Sequence, residues 1–190
     1  MNTIQAFLPA PARAASWQLP LVVAKLASRF INTARLWGIP EHQRRVRSSR
    51  RVLATIRSFR GADSDARVYG YLRKIDPFVY EEVVMSALED AGAIVLRSRR
   101  YTGDGGVDGR CWLPWAGLRT VAVQAKRYQS AITPEHVRGF SAIVRAEGYA
   151  GGFFVHCGRS GSMTYEALRG QPVQLLSGAR MLSLLLRAYV

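Results

Sequence analysis

From Asp76 onward, apolar and polar positions alternate between two periods. In FVYEEVVMSALEDAG the apolar residues fall at 79, 80, 83, 84, 87, 88 and 91, which is helical spacing; Asp76 and Pro77 supply an N-cap and a first-turn proline, and Gly92 a stop. AIVLRS at 93–98 reads as a strand. DGRCWL at 108–113 and TVAVQA from Thr120 read as the two arms of a hairpin turned by LPWAGL. Thr133, Pro134 and Glu135 open a second helix with Val137, Phe140, Ile143 and Val144 on one face, ending near Gly148. GGFFVH follows as a buried strand, Ser162 starts a short helix to about Leu168, VQLL is a short strand, and GARMLSLLLRAY closes the chain as a helix. Helix, three strands, helix, strand, helix, strand, helix predicts an α/β fold with a mixed central sheet flanked by helices.

The segment before Asp76 is different. GADSDA at 61–66 is a polar, turn-prone break, and it divides the chain into a basic, partly helical extension over 1–70 and a second domain over 71–190. Residues 17–37 can form a basic amphipathic helix with Trp17, Leu21, Leu26, Phe30 and Leu36 among its apolar members; packing on the domain is the favoured use of that face, a membrane surface the other. The apolar run LPLVVA is cut off by Lys25 and Arg29, too short to span a bilayer.

Charge narrows the partner. The chain of 190 residues carries +14, and residues 1–60 hold eleven Arg or Lys against Glu41 alone, a net +10. Within QRRVRSSRR, Arg44, Arg45, Arg47, Arg50 and Arg51 have the density of a phosphate-contacting arm. A polyanion is the expected partner, nucleic acid before an anionic membrane. Cys111 and Cys157, and His42, His136 and His156, are scattered without metal-ligand or disulfide spacing, so zinc is not expected and a reducing, cytoplasmic compartment is.

The candidate chemistry lies in TGDGGVDG at 102–109 and VAVQAKRY from Val121. Alternation along the second puts Ala122, Gln124 and Lys126 on one face and Val121, Val123 and Ala125 on the other. A hairpin turning near Trp115 sets Asp108 opposite roughly residue 123, beside the Gln124 and Lys126 pair. A carboxylate, an amide and an ammonium at a sheet end suit metal-assisted phosphodiester hydrolysis, in which oxygens hold Mg²⁺ and the ammonium orients water and offsets charge. Glu81 or Glu82 can complete the acids. The glycine loop fits no phosphate-cradling pattern, since a strand follows it where a helix is needed. Lysine occurs only at positions 25, 74 and 126, so its use at 126 stands out against the arginine background.

Residues about 77 to 186 resemble the Mrr-like restriction endonuclease catalytic domain of the PD-(D/E)xK nuclease superfamily. YEEVVMSALEDAG stands for the family's glutamate helix, GDGGVDG for its GDGGxD loop, VQAKRY for its QxK strand, GGFFVH for the strand that follows, and LLSGARML for its C-terminal leucine and glycine element. The resemblance implies a restriction-endonuclease-like core and cleavage of DNA with Mg²⁺, Mn²⁺ being a possible substitute. It implies that Asp108 binds metal, that Gln124 holds the second acidic position, that Lys126 is the catalytic lysine, and that the Ala125 carbonyl joins the metal shell. Glu81, after Tyr80 and eleven residues before Gly92, is the helix glutamate, with Glu82 as the fallback. Asp104 belongs to the loop in a supporting role, and Arg127 joins the basic set facing DNA. His156 and Cys157 depart from the family's hydroxyl residues, with a hydrogen-bonded strand-end histidine as the favoured reading. Double-strand cleavage needs two active sites or two nicks, so a homodimer is compatible. The alternatives are a nucleic-acid-binding protein that keeps the fold without turnover and a DNA-processing protein at a membrane surface.

Overall fold

The computed structural model describes residues 18–99, 106–114, 118–127 and 131–186; Asp104, Trp17 and Trp115 lie outside them. Three helices, α1 (Gln18–Arg35), α2 (Pro40–Ser58) and α3 (Ser64–Leu72), precede α4 (Pro77–Asp90), β1 (Ile94–Arg97), β2 (Gly109–Leu113), β3 (Arg119–Lys126), α5 (Pro134–Ala146), β4 (Gly151–His156), α6 (Ser162–Ala167), β5 (Val173–Leu176) and α7 (Gly178–Leu186). The order expected from Pro77 onward is therefore the order observed. Asp76 caps α4 as expected, its carboxylate accepting from the N–H groups of Phe78 at 2.9 Å and Val79 at 3.1 Å.

The five strands lie in the order β1-β2-β3-β4-β5. β1, β2 and β3 form an antiparallel meander, and β4 and β5 add in parallel through helical crossovers. Alternation in β3 sorts its residues into two cores. Val121, Val123 and Ala125 join the cluster under α4 and α7, while Ala122 joins Phe140, Val144, Phe154 and Leu175 under α5. Two buried layers thus sandwich the sheet, and at the C-terminal end of β3 burial gives way at the half-buried Lys126.

α4 is buried on nearly every side, from Tyr80 through Glu89. The sheet covers one flank, and α2 covers another with Val52, Leu53 and Ile56, which share a single apolar cluster with Val68 and Leu72 of α3 and with α4 itself. The N-terminal helices are continuous in packing with the sheet core. α3 has no counterpart in the sequence-based expectation; it packs through buried Val68 and Leu72 and the partly buried Tyr69 and Tyr71.

α1 packs on the molecule, but not by the face its apolar residues suggest. Ser28 and Asn32 point inward. The Asn32 amide donates to the Val95 carbonyl at 2.7 Å and its oxygen accepts from the Arg97 N–H at 3.0 Å, while the Ser28 hydroxyl accepts from the Val95 N–H at 3.1 Å. β1 is the edge of the sheet, and an edge strand presents unpaired backbone groups. Two polar side chains from a helix take the place of a sixth strand.

Candidate active site

The site is assembled where β1 ends, β2 begins and β3 ends. Asp108 immediately precedes β2. Its N–H donates to the Val123 carbonyl at 2.9 Å and its carbonyl accepts from Ser98 at 3.2 Å, so its backbone is tied to both neighbouring strands. Since β2 pairs Gly109 with Val123, the ladder runs out one residue before Asp108, a register one residue from the expected one. The Asp108 carboxylate takes over: Oδ2 accepts from the Ala125 N–H at 2.6 Å. A charge-assisted bond of that length fixes the carboxylate against β3.

Gln124 is buried on the α5 side of the same strand end, and Lys126, one pleat further, is half-buried. Gly106 explains how the amide fits. Its φ of 82° is left-handed, and a Cβ there would come within 3.1 Å of the Gln124 Nε2 and 3.3 Å of Ile143. Gly109 is as constrained, for a Cβ would meet the Met85 methyl at 2.2 Å and the Leu96 carbonyl at 3.0 Å. Two of the loop's glycines are therefore required by close approach of neighbouring groups.

The two helix acids differ. Glu82 accepts from Arg97 at 3.0 Å and pairs with His42 at 2.9 Å. Arg97 reaches Glu89 as well, at 3.3 Å, and Arg50 joins Glu89 and Asp90. Glu82, Ser86 and Glu89 thus form a polar stripe that ties α4 to α2 and to β1. Sequence reasoning missed this network. Its signal was the polar spacing 82, 86, 89 within an otherwise apolar helix. Glu81 is buried one residue before it.

His156 is the parallel-register partner of Lys126. Its Nδ1 accepts from the Gly158 N–H at 3.1 Å and its Nε2 lies 2.9 Å from the Ser160 hydroxyl, which donates to Ser177 at 3.0 Å. Burial, with a contribution from His136, lowers its pKa to about 4, so the ring is neutral at ordinary pH. This is the hydrogen-bonded strand-end histidine expected from the sequence. Cys111 and Cys157 are both buried and form no disulfide, and burial pushes the Cys111 thiol up to about 12.

Of the arginines proposed to face DNA, Arg44, Arg47 and Arg51 are exposed on α2. Arg45 pairs with Glu41 at 2.5 Å and lies over the Phe78 ring, Arg50 is engaged with Glu89 and Asp90, and Arg127 donates to the Arg73 carbonyl.

Among the described residues, no three His, Cys, Asp or Glu side chains gather into a metal cluster. A cation at this site would rest on one Asp108 carboxylate with the neutral oxygens of Gln124 and the Ala125 carbonyl. Those are hard oxygen donors, few in number, which fits a small divalent ion that keeps several of its own waters.

A mixed sheet flanked by helices, with a carboxylate, an amide and a lysine brought to one strand end, defines the class of restriction-endonuclease-like proteins. The restriction endonuclease family of Mrr type matches residues 72–185, and the chain belongs to that family. The type IV methyl-directed restriction enzyme EcoKMrr of Escherichia coli (strain K12) is 29% identical over 154 residues, which cover 77% of this chain and 50% of the enzyme; the chain spans about half the length of that relative. Among solved structures, the MspJI restriction endonuclease in complex with a 27-mer oligonucleotide aligns at a TM-score of 0.49 and 22% identity, over 67% of this chain and 32% of that one. Among the described residues, no helix is long and apolar enough to cross a membrane.

Proposed function

We propose that the chain is a Mg²⁺-dependent DNA endonuclease, with catalysis in residues 71–190 and DNA held in part by the basic helices before them. The observation that carries this is the Asp108 carboxylate fixed on the Ala125 N–H, at the strand end that also bears Gln124 and Lys126. Family membership supports cleavage of DNA, and the donor set supports Mg²⁺, with Mn²⁺ as a substitute.

Asp108, the Gln124 side chain and the Ala125 carbonyl would hold the ion, with Glu81 acting on its water shell. When bound, the ion supplies Lewis-acid polarisation of the phosphate and a water acidic enough to attack near neutral pH. Asp108 orients that site because both its backbone and its carboxylate are tied to β3. Lys126 positions the attacking water and places its ammonium where charge develops on the phosphorane. Glu81 is the helix acid in this role, as its place after Tyr80 and eleven residues before Gly92 in the family's glutamate helix implies. Arg44, Arg47 and Arg51 contact phosphates, with Arg127 close to the chemistry. A reducing, DNA-containing cytoplasm is the compartment this activity needs, and a homodimer is the arrangement that cuts both strands at once.

The test is cleavage of supercoiled plasmid, methylated and unmethylated, by wild type, Asp108→Ala and Lys126→Ala in Mg²⁺, Mn²⁺ or EDTA. Wild type is expected to nick only with metal, Asp108→Ala to be inactive, and Lys126→Ala to bind DNA while cleaving about 10²- to 10³-fold more slowly. Equal cleavage by all three proteins would remove these residues from the mechanism.

A further inference from the structure

α1 is mounted with its polar side inward, so its apolar side faces out. Ser28 and Asn32 are buried against β1 and Glu89, held by hydrogen bonds including Ser28 to Glu89 at 2.7 Å. On a helical projection the opposite half carries Val22, Val23, Leu26 and Phe30, with Ile31 at its edge, and Trp37 follows just beyond the helix end. Leu26 is 60% exposed, Phe30 76% and Trp37 78%. Six of the nine large apolar side chains exposed among the described residues belong to this one strip, so it is a patch and not scatter. Arg29 and Arg35 are exposed at its two borders.

We propose that this face docks the protein on an anionic lipid surface, with α1 lying in the plane of the interface. An apolar strip of Val, Leu, Phe and Trp edged by arginines is the chemistry such a helix needs, the rings and aliphatic groups entering the headgroup boundary and the cations meeting anionic headgroups. Charge selects lipid over a second copy of the chain. Residues 18–60 carry ten Lys or Arg and the single acid Glu41, itself paired with Arg45. A symmetric pairing through α1 would bring two such basic segments face to face, with Glu41 the single acid that each contributes. DNA satisfies the arginines but offers little to Leu26 and Phe30. The helix lies on the surface and does not cross it. Because the inward anchors are hydrogen bonds to a sheet edge, docking leaves the fold unchanged. This inference does not depend on the nuclease assignment.

The full chain is sedimented with vesicles of phosphatidylcholine alone and of phosphatidylcholine mixed with phosphatidylglycerol, alongside Leu26→Glu/Phe30→Glu and Arg29→Ser/Arg35→Ser. Wild type is expected to sediment with the anionic vesicles only. The first variant is expected to lose at least about tenfold in partitioning, and the second to lose its preference for anionic lipid. Unchanged thermal melting confirms that both variants are folded. Three results would overturn the proposal: no sedimentation of wild type with either vesicle, equal sedimentation of Leu26→Glu/Phe30→Glu, or a wild-type dimer in solution that this variant splits into monomers without any vesicle binding. Plasmid cleavage by the same proteins reports the nuclease activity separately.

Discussion

Asp108 shows how little chain is needed to fix a side chain when its surroundings are constrained. The strand ladder stops one residue short, the Ala125 N–H is left to be satisfied, and the carboxylate satisfies it at 2.6 Å. The same bond that completes the backbone aims the side chain. Gln124 is positioned more indirectly, by the absence of a side chain at Gly106. Replacing Gly106 with alanine places a Cβ about 3.1 Å from the Gln124 Nε2 on a backbone with φ of 82°. We expect Gly106→Ala to stay folded, since the strain is on the order of 1–2 kcal/mol, yet to cleave plasmid about tenfold to a hundredfold more slowly through displacement of the amide. A Mg²⁺ titration checks the cause: the half-saturating concentration should rise if Gln124 contributes to holding the ion, and an unchanged value would place the loss elsewhere.

At the scale of elements, the strands and helices after Asp76 were legible because local pattern and burial agree. β3 alternates in sequence and its residues part into two cores in space. Asp108, Gln124 and Lys126 could be brought to one end from periodicity and a turn alone. α1 was not legible in the same way. Its sequence marks an apolar face, but the inward face is chosen by the unpaired backbone of β1, a feature 60 or more residues away. Nor do isolated residues such as Arg97, His42 and Glu89 announce that they are buried together. Arg97 is the keystone of that network, its side chain 2% exposed between Glu82 and Glu89. Arg97→Met would keep the volume and remove the charge. We expect a loss of about 3–5 kcal/mol, because it strands buried carboxylates. A denaturant titration reads this as a lower midpoint with an unchanged slope, and a loss below about 1 kcal/mol would mean that Arg50 and His42 compensate.

Across the whole molecule, charge is distributed by task. The segment up to residue 60 carries +10 of the total +14, but the fold withdraws part of it: Arg50 and Arg57 are tied to Asp90, and Arg45 to Glu41. What remains exposed on α2 is the set Arg44, Arg47 and Arg51. If each meets one phosphate, removing all three should lower the slope of log K against log salt by about 2 to 3, since each neutralised phosphate contributes about 0.9. Affinity for plasmid and for unrelated duplexes should fall together, because phosphate contacts carry no sequence information. The chemistry should not: at saturating protein and low salt, Arg44→Ser/Arg47→Ser/Arg51→Ser should nick at the wild-type rate. Binding curves at several salt concentrations, paired with single-turnover cleavage, separate the two effects. An unchanged salt slope would show that DNA approaches by a surface other than α2, and a slower single-turnover rate would mean that these arginines also orient the scissile phosphate.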